Sequence, residues 1–143
     1  MDNLTRVIIV DDHPLMRKGI QQLLTIDNEF DVIAEAQNGS EALLLAAQLQ
    51  PDLILLDYNM QGISGLETLK LLRQQGSNGK VVILTVSDNK QDVIAMINHG
   101  ANGYLLKDSE PEQLINSIKA IVAGKTIVTD KLRPYLQELD QED

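Results

Sequence analysis

The fold of this chain is decided by the stretch Val7-Ile8-Ile9-Val10-Asp11-Asp12, in which four branched aliphatic residues run directly into two acids. Three more short apolar runs of the same kind lie further along, at residues 53–56, 81–84 and 104–106, and a weaker one lies at 32–34. Uninterrupted apolar runs of this length are typical of strands that are buried on both faces. The runs therefore predict a parallel sheet that is covered by helices on both sides.

Apolar residues recur at helical spacing between these runs. The five stripes lie within residues 16–24, 43–47, 66–72, 93–97 and 114–122. Ser64 with Glu67 predicts a capped start for the third helix, and Pro111 fits the first turn of the fifth, which Gly124 ends. The alternation of strand and helix, repeated five times, predicts an α/β fold with right-handed crossovers.

Composition limits the functions that are open to the chain. Its 143 residues fit one domain with a short appendage, and the absence of cysteine excludes a disulfide framework, a thiolate zinc site and a cysteine nucleophile. With 21 acidic and 12 basic residues the net charge is −9, which argues against binding of DNA, RNA or anionic lipid by this chain. No apolar run approaches the roughly 20 residues of a membrane span. We expect a cytoplasmic protein without a membrane partner.

Polar residues suited to phosphate and metal chemistry follow the predicted strands. Asp11 and Asp12 follow the first run, Asp57 the third, Thr85 ends the fourth, and Lys107 follows the fifth. In a sheet of this kind ligands bind outside the carboxyl ends of the strands, so we expect these side chains to lie together. A single aspartate after a strand is more often a turn former or a helix cap, and only the joint pattern favours a site.

Three carboxylates at one sheet edge repel one another unless a cation compensates them. Mg²⁺ is the natural choice because it binds carboxylate, water and phosphate oxygens. Lys107 adds a positive charge for a phosphate, and an aspartate can itself accept a phosphoryl group. The pattern predicts a phosphoryl-transfer site with an acidic nucleophile. For His13 and His99 the pattern favours roles at helix ends over chemistry.

At these positions the chain resembles the receiver domain of bacterial two-component response regulators, over residues 5–124. The matching motifs are Val7-Ile8-Ile9-Val10-Asp11-Asp12-His13, Leu55-Leu56-Asp57-Tyr58-Asn59-Met60, Ile83-Leu84-Thr85 and Gly100-Ala101-Asn102-Gly103-Tyr104-Leu105-Leu106-Lys107. Residues 103–108 and the tail are most similar to the subfamily with a LuxR-type helix-turn-helix output, and within it to nitrate/nitrite-type regulators. The resemblance implies a flavodoxin-like (βα)5 three-layer sandwich with strand order 2-1-3-4-5.

The resemblance also implies a role for each site residue. Asp57 would be the phosphoacceptor, and a sensor histidine kinase would supply the phosphoryl group. Asp12 and Asp57 would bind Mg²⁺ through their side chains, Asn59 through its backbone carbonyl, and Asp11 through a metal-bound water.

The remaining roles concern charge pairing and readout. Lys107 would pair with the carboxylate and then with the phosphoryl group. Thr85 and Tyr104 would form the switch. The protein would catalyse only its own phosphoryl transfer and dephosphorylation, and would otherwise not be an enzyme.

Three positions depart from the family pattern. Asp108 stands where a proline on a cis bond often follows the lysine, so no cis bond is expected here. Gln61 replaces a frequent proline, which predicts a less rigid loop. Val86 is larger than the usual alanine or glycine, so it would narrow access to the phosphoryl group and alter the rates of phosphorylation and hydrolysis.

The domain assignment is residues 1–124 as receiver and 125–143 as a linker and C-terminal helix leading to an output domain absent from this sequence. The tail carries an apolar stripe, Leu132, Tyr135, Leu136 and Leu139, which would pack on the output domain or on its own domain. A homodimer is a further possible partner. Direct DNA binding by this chain is not expected.

Two other functions fit parts of the pattern. A Mg²⁺-dependent phosphohydrolase with an aspartyl nucleophile would use the same residue types, although its usual signature separates two aspartates by one position. A phosphate-independent interaction module on the same fold is the other alternative.

Overall fold

Strands and helices alternate along the chain, as the hydrophobic pattern predicts. The computed structural model describes residues 4–86, 89–128 and 134. The strands are β1 (Thr5–Val10), β2 (Phe30–Ala36), β3 (Leu53–Asp57), β4 (Lys80–Thr85), β5 (Gly103–Leu106) and β6 (Ile127–Val128). The helices are α1 (Pro14–Ile26), α2 (Gly39–Leu49), α3 (Gly65–Gln74), α4 (Lys90–Asn98) and α5 (Pro111–Val122).

The strands form one parallel sheet in the order β2-β1-β3-β4-β5-β6. The predicted order 2-1-3-4-5 is confirmed, and a sixth strand extends it. The predicted linker begins at residue 125, but Ile127 and Val128 within it pair with Gly103 and Tyr104 of β5. Val128 is buried at 2% exposure, so it closes the core at this end of the sheet. The boundary at residue 124 stays a prediction, and the tail stripe lies outside the described residues.

The sheet separates two apolar layers. Alternate residues of a strand point to opposite faces, and β1 shows this directly: Ile8 and Val10 pack on one side, Val7 and Ile9 on the other. The first layer lies under α2, α3 and α4, and the second under α1 and α5. All five residues of β3 are buried, as expected for the centre of a parallel sheet.

The edge strand β2 is irregular. Val7 pairs with Val32 and Ile8 pairs with Ala34, so Ile33 is an extra residue opposite no partner in β1. Asp31 and Glu35 are exposed on the same strand. An extra residue of this kind bends a strand and increases its local twist.

The helix starts fix the loops at the carboxyl edge of the sheet. Ser64 accepts a hydrogen bond from the Glu67 N–H at 3.1 Å, which confirms the predicted cap of α3. The Gly65 N–H donates to the Tyr58 carbonyl at 3.0 Å. A Cβ atom on Gly65 would lie 2.8 Å from the Asp57 carbonyl oxygen and from Tyr58 Cα. Only glycine allows α3 to begin this close to the end of β3.

Gly65→Ala should therefore destabilise the fold by about 1–3 kcal/mol, the usual cost of overpacking against atoms that cannot move aside. Gly19→Ala is the matched control, because Gly19 lies inside α1 and a Cβ there meets nothing within 4 Å. It should stabilise the fold by about 0.5–1 kcal/mol through helix propensity. Urea unfolding measures both, and a Gly65→Ala protein as stable as wild type would contradict the close approach.

Candidate functional site

Asp11 and Asp57 lie side by side at the carboxyl edge of the sheet. The register pairs Val10 of β1 with Leu56 of β3, so Asp11 and Asp57, which follow them directly, are brought alongside each other. Both carboxylates are almost wholly buried, with side-chain exposures of 2%. The predicted meeting of these two acids is confirmed in position.

Lys107 compensates part of their charge. Its Nζ lies 2.9 Å from Asp57 Oδ1 and 3.2 Å from Asp11 Oδ2. The Lys107 N–H donates to the Thr85 carbonyl at 2.7 Å, which holds the lysine backbone at the end of β4. The sequence placed Lys107 in the cluster, and the structure puts it in contact with both buried acids.

Asp12 is held at the mouth of the site by the backbone of the β3–α3 loop. Its Oδ2 accepts a hydrogen bond from the Gln61 N–H at 3.2 Å. A proline at position 61 has no N–H to donate, so the departure from the family pattern adds a contact that the usual residue cannot make. From the sequence, Gln61 predicted only a less rigid loop and not this hydrogen bond.

His13 is the site residue that the sequence argument missed. It is the residue before α1, as predicted, but its side chain makes no cap hydrogen bond. Instead its Nδ1 lies 2.8 Å from Asp12 Oδ1, 3.0 Å from Asp11 Oδ1 and 4.0 Å from Asp57 Oδ2. The signal available in the sequence was its position directly after the acid pair.

The electrostatics of the cluster follow from burial and charge. Burial raises the pKa of Asp57, and the neighbouring charge of Asp11 adds to this, while the hydrogen bond from Lys107 lowers the pKa in part. Burial alone would lower the pKa of Lys107, but the hydrogen bond and charge of Asp57, together with Asp11, outweigh it and raise the pKa. The ammonium group therefore remains protonated beside the two acids.

Two carboxylate oxygens in the cluster have no hydrogen-bond partner. They are Asp57 Oδ2 and Asp12 Oδ1, both out of contact with solvent, although Asp12 Oδ1 also lies 2.8 Å from His13 Nδ1. Ligand atoms of Asp11, Asp12, His13 and Asp57 all lie within 4.8 Å of one another. Unpartnered carboxylate oxygens in this number suit a hard divalent cation, so the donor set fits the acidic metal pocket of receiver domains.

Asn59 lies two residues beyond Asp57, and its N–H donates to Asp57 Oδ1 at 3.3 Å. This bond and that of Lys107 engage the same oxygen of Asp57. The predicted use of the Asn59 carbonyl as a metal ligand stays a prediction.

Strand alternation places Thr85 and Tyr104 in the apolar layer under α2, α3 and α4. Thr85 shares its face with Val81 and Ile83, and Tyr104 packs in the same layer. Both residues are fully buried. Val86, the next residue after Thr85, is 76% exposed. The switch role of Thr85 and Tyr104 stays a prediction.

Tyr58 forms a link that no local sequence pattern indicates. Its hydroxyl donates to Asp92 Oδ1 in the first turn of α4 at 2.8 Å, and its N–H donates to the Leu84 carbonyl at 3.1 Å. Burial and the neighbouring Asp92 raise the pKa of Tyr58 to about 12. The residue after Asp57 is thereby tied to both β4 and α4.

Among the described residues, no helix combines the length and apolar character that are needed to cross a bilayer.

Relatives of the chain are nitrate/nitrite regulators. A nitrate/nitrite response regulator protein homolog from Haemophilus influenzae is 48% identical over the whole chain, which covers 69% of that protein. The nitrate/nitrite response regulator protein NarP from Escherichia coli is 51% identical over 93% of the chain, which covers 62% of that protein. The chain thus spans about two thirds of the length of these relatives.

Solved structures agree with the fold. A LuxR-family two-component response regulator from Aurantimonas superposes with a TM-score of 0.89 at 28% identity, covering 98% of this chain and 99% of that one. The signal receiver domain of the putative response regulator NarL from Mycobacterium tuberculosis gives a TM-score of 0.82 at 32% identity. The match covers 86% of this chain and 99% of that one.

The family model for the response regulator receiver domain matches residues 7–119, nearly the whole of the sheet and its helices. The resemblance to receiver domains and the flavodoxin-like fold that it implies are therefore confirmed, and the phosphohydrolase alternative is not favoured. The chain belongs to the response regulator receiver domain family, and it is a phosphoacceptor domain of the two-component type that is similar to the nitrate/nitrite regulators.

Proposed function

We propose that Asp57 accepts the phosphoryl group, and that a phosphohistidine of a sensor kinase donates it. The observation that carries this assignment is the difference in hydrogen bonding between the two oxygens of Asp57. Oδ1 is engaged by Lys107 and by the Asn59 N–H, whereas Oδ2 is buried and has no hydrogen-bond partner. Oδ2 is therefore the oxygen that is available to attack phosphorus.

The transfer forms one bond and breaks one. Asp57 Oδ2 bonds to phosphorus as the P–N bond of the phosphohistidine breaks, and the electron pair of that bond leaves with the imidazole. Lys107 remains protonated because its pKa is raised, so it offsets negative charge on the acyl phosphate. In hydrolysis, water would bond to phosphorus as the bond to Asp57 Oδ2 breaks, which releases inorganic phosphate and restores the carboxylate, and the protein would catalyse no other reaction.

The acidic cluster is proposed to hold Mg²⁺. Asp12 and Asp57 would bind it through side-chain oxygens, Asn59 through its carbonyl and Asp11 through a water. The grouping of one ligand atom from each of Asp11, Asp12, His13 and Asp57 within 4.8 Å of one another supports this assignment. When bound, the ion supplies positive charge that neutralises the phosphoryl oxygens.

Readout is proposed to pass through Thr85 and Tyr104. A phosphoryl group brings roughly two negative charges and strong acceptor oxygens to the end of β3. Thr85 ends the neighbouring strand, and its hydroxyl can donate to one of those oxygens. Tyr104 lies inward in this structure, in the position that we associate with the phosphorylated state. The surface formed by α4, β5 and α5 would change with these two residues.

The relatives extend beyond the aligned region, which supports an output domain after this one. We propose that a LuxR-type output domain binds DNA, that the stimulus is of the nitrate/nitrite kind named for the relatives, and that the whole protein works in the cytoplasm. The receiver would act on that domain directly or through a homodimer. Its charge of −9 supports leaving DNA binding to the output domain.

Asp57→Asn should abolish phosphorylation from a small phosphodonor, because the amide is a poor nucleophile. Its stability should equal or exceed that of wild type. Burial raises the pKa of Asp57, so the ionised form disfavours folding at pH values above that pKa, and the neutral amide removes this cost. Intact-protein mass spectrometry and urea unfolding measure the two effects. Asp31→Asn, on the exposed edge of β2, is the control and should phosphorylate normally; an acyl phosphate of normal yield on Asp57→Asn would refute the assignment.

Mg²⁺ should raise the free energy of unfolding. A ligand that binds only the folded state adds about 1.4 kcal/mol at ten times its Kd. Asp12→Ala should remove this gain and Asp31→Ala should keep it, both measured by thermal unfolding in MgCl₂ against NaCl of equal ionic strength. If wild type unfolds at the same temperature in both salts, the metal site is wrong.

Thr85→Ala should still accept phosphate on Asp57 but fail to transmit the change. Chemical-shift differences on phosphorylation should stay near Asp57 and not reach the surface around Tyr104. Thr85→Ser keeps the hydroxyl and should restore transmission. NMR spectra of the three proteins test the scheme, which does not survive if Thr85→Ala changes that surface as fully as wild type.

A further inference from the structure

His13 is held so that its ring reaches into the acidic cluster. Pro14 follows it, which restricts His13 to extended backbone, and the observed φ of −106° and ψ of 106° agree. The His13 N–H donates to Asp11 Oδ1 at 2.8 Å. Nδ1 of the ring lies 3.0 Å from the same oxygen, so the ring is held towards the cluster although its side-chain exposure is 67%.

His13 Nδ1 faces the carboxylates of the cluster, at hydrogen-bond distance from Asp11 Oδ1 and Asp12 Oδ1. Ligand atoms of Asp11, Asp12, His13 and Asp57 all lie within 4.8 Å of one another, so an ion held by these carboxylates would be within reach of Nδ1. The distances from Nδ1 to oxygens of Asp12, Asp11 and Asp57 are 2.8, 3.0 and 4.0 Å. The last of these oxygens, Asp57 Oδ2, is buried and unpartnered.

We propose that His13 Nδ1 is a direct ligand of the divalent ion in this cluster, and that it gives the site a preference for nitrogen-binding transition ions such as Co²⁺ and Zn²⁺ beyond what the carboxylates confer. This rests on the metal site proposed above. Mg²⁺ prefers oxygen ligands and retains its waters, whereas imidazole suits Zn²⁺ and its neighbours in the first transition row. Coordination uses the lone pair on Nδ1 and leaves the proton of the neutral ring on Nε2.

The chain offers a matched pair of variants, because it contains two histidines. His13→Asn keeps an oxygen donor and a good helix cap, so it should fold and still tolerate Mg²⁺. His99→Asn is the control, since His99 caps the C-terminus of α4 and belongs to no metal-ligand group among the described residues.

The experiment is calorimetric titration of the whole chain with Mg²⁺, Co²⁺ and Zn²⁺. In His13→Asn the Kd for Co²⁺ and Zn²⁺ should rise by about tenfold or more, the scale seen when metal-site support is lost, while the Kd for Mg²⁺ changes by less than about twofold. His99→Asn should match wild type for all three ions. Pulsed EPR of bound Mn²⁺ should show a nitrogen coupling in wild type and in His99→Asn, and none in His13→Asn.

The outcomes separate this inference from the proposed function. If Mg²⁺ binds wild type but no nitrogen coupling is seen, His13 is not a ligand and only this inference is overturned. If His13→Asn weakens all three ions equally, His13 merely positions Asp11 and Asp12, and the selectivity is overturned. If wild type binds no ion at all, the acidic cluster is not a metal site, and both the Mg²⁺ assignment and the role of His13 are overturned.

Discussion

The burial of two carboxylates side by side at one edge of the sheet determines which charges must lie around them. Asp11 and Asp57 have side-chain exposures of only 2%, and a single ammonium group reaches both. Counted with Asp12, three carboxylates stand against one lysine, which leaves a formal charge of −2 in the cluster. A cluster with this residual charge favours a divalent cation, and Asp57 Oδ2 is buried in it without a hydrogen-bond partner.

The sheet also divides the work between its two faces. Asp11, Asp57 and Lys107 share the alternation of the residues that pack under α1 and α5, such as Ile9, Leu55 and Leu105. Thr85 and Tyr104 share the alternation of the layer under α2, α3 and α4. Alternation therefore assigns Asp57 and Thr85 to different apolar layers, although both residues end their strands at the carboxyl edge of the sheet. The link from Tyr58 to Asp92 of α4 crosses from the end of β3 to the readout side.

The sequence allowed the strands, their order and the meeting of Asp11, Asp57 and Lys107 to be predicted, because parallel strands place their carboxyl ends on one edge. It did not reveal the ring of His13 in the cluster, since the direction of that ring depends on its contact with Asp11 in the folded chain. Contacts to backbone N–H groups, such as that of Gln61 with Asp12, are open to every residue type except proline, so the side chain that accepts them cannot be predicted from residue type. Strand β6 is only two residues long, so periodicity could not detect it.

The extra residue at Ile33 has a consequence for how copies of this protein meet. An outer strand with regular, unpaired backbone groups invites another strand to add to it, and this is a common route to aggregation. Here β2 is bent at Ile33 and carries exposed charges at Asp31 and Glu35. Strand addition at this edge is therefore disfavoured, because a second copy could pair along β2 only if the bend at Ile33 were straightened and the charges of Asp31 and Glu35 were accommodated.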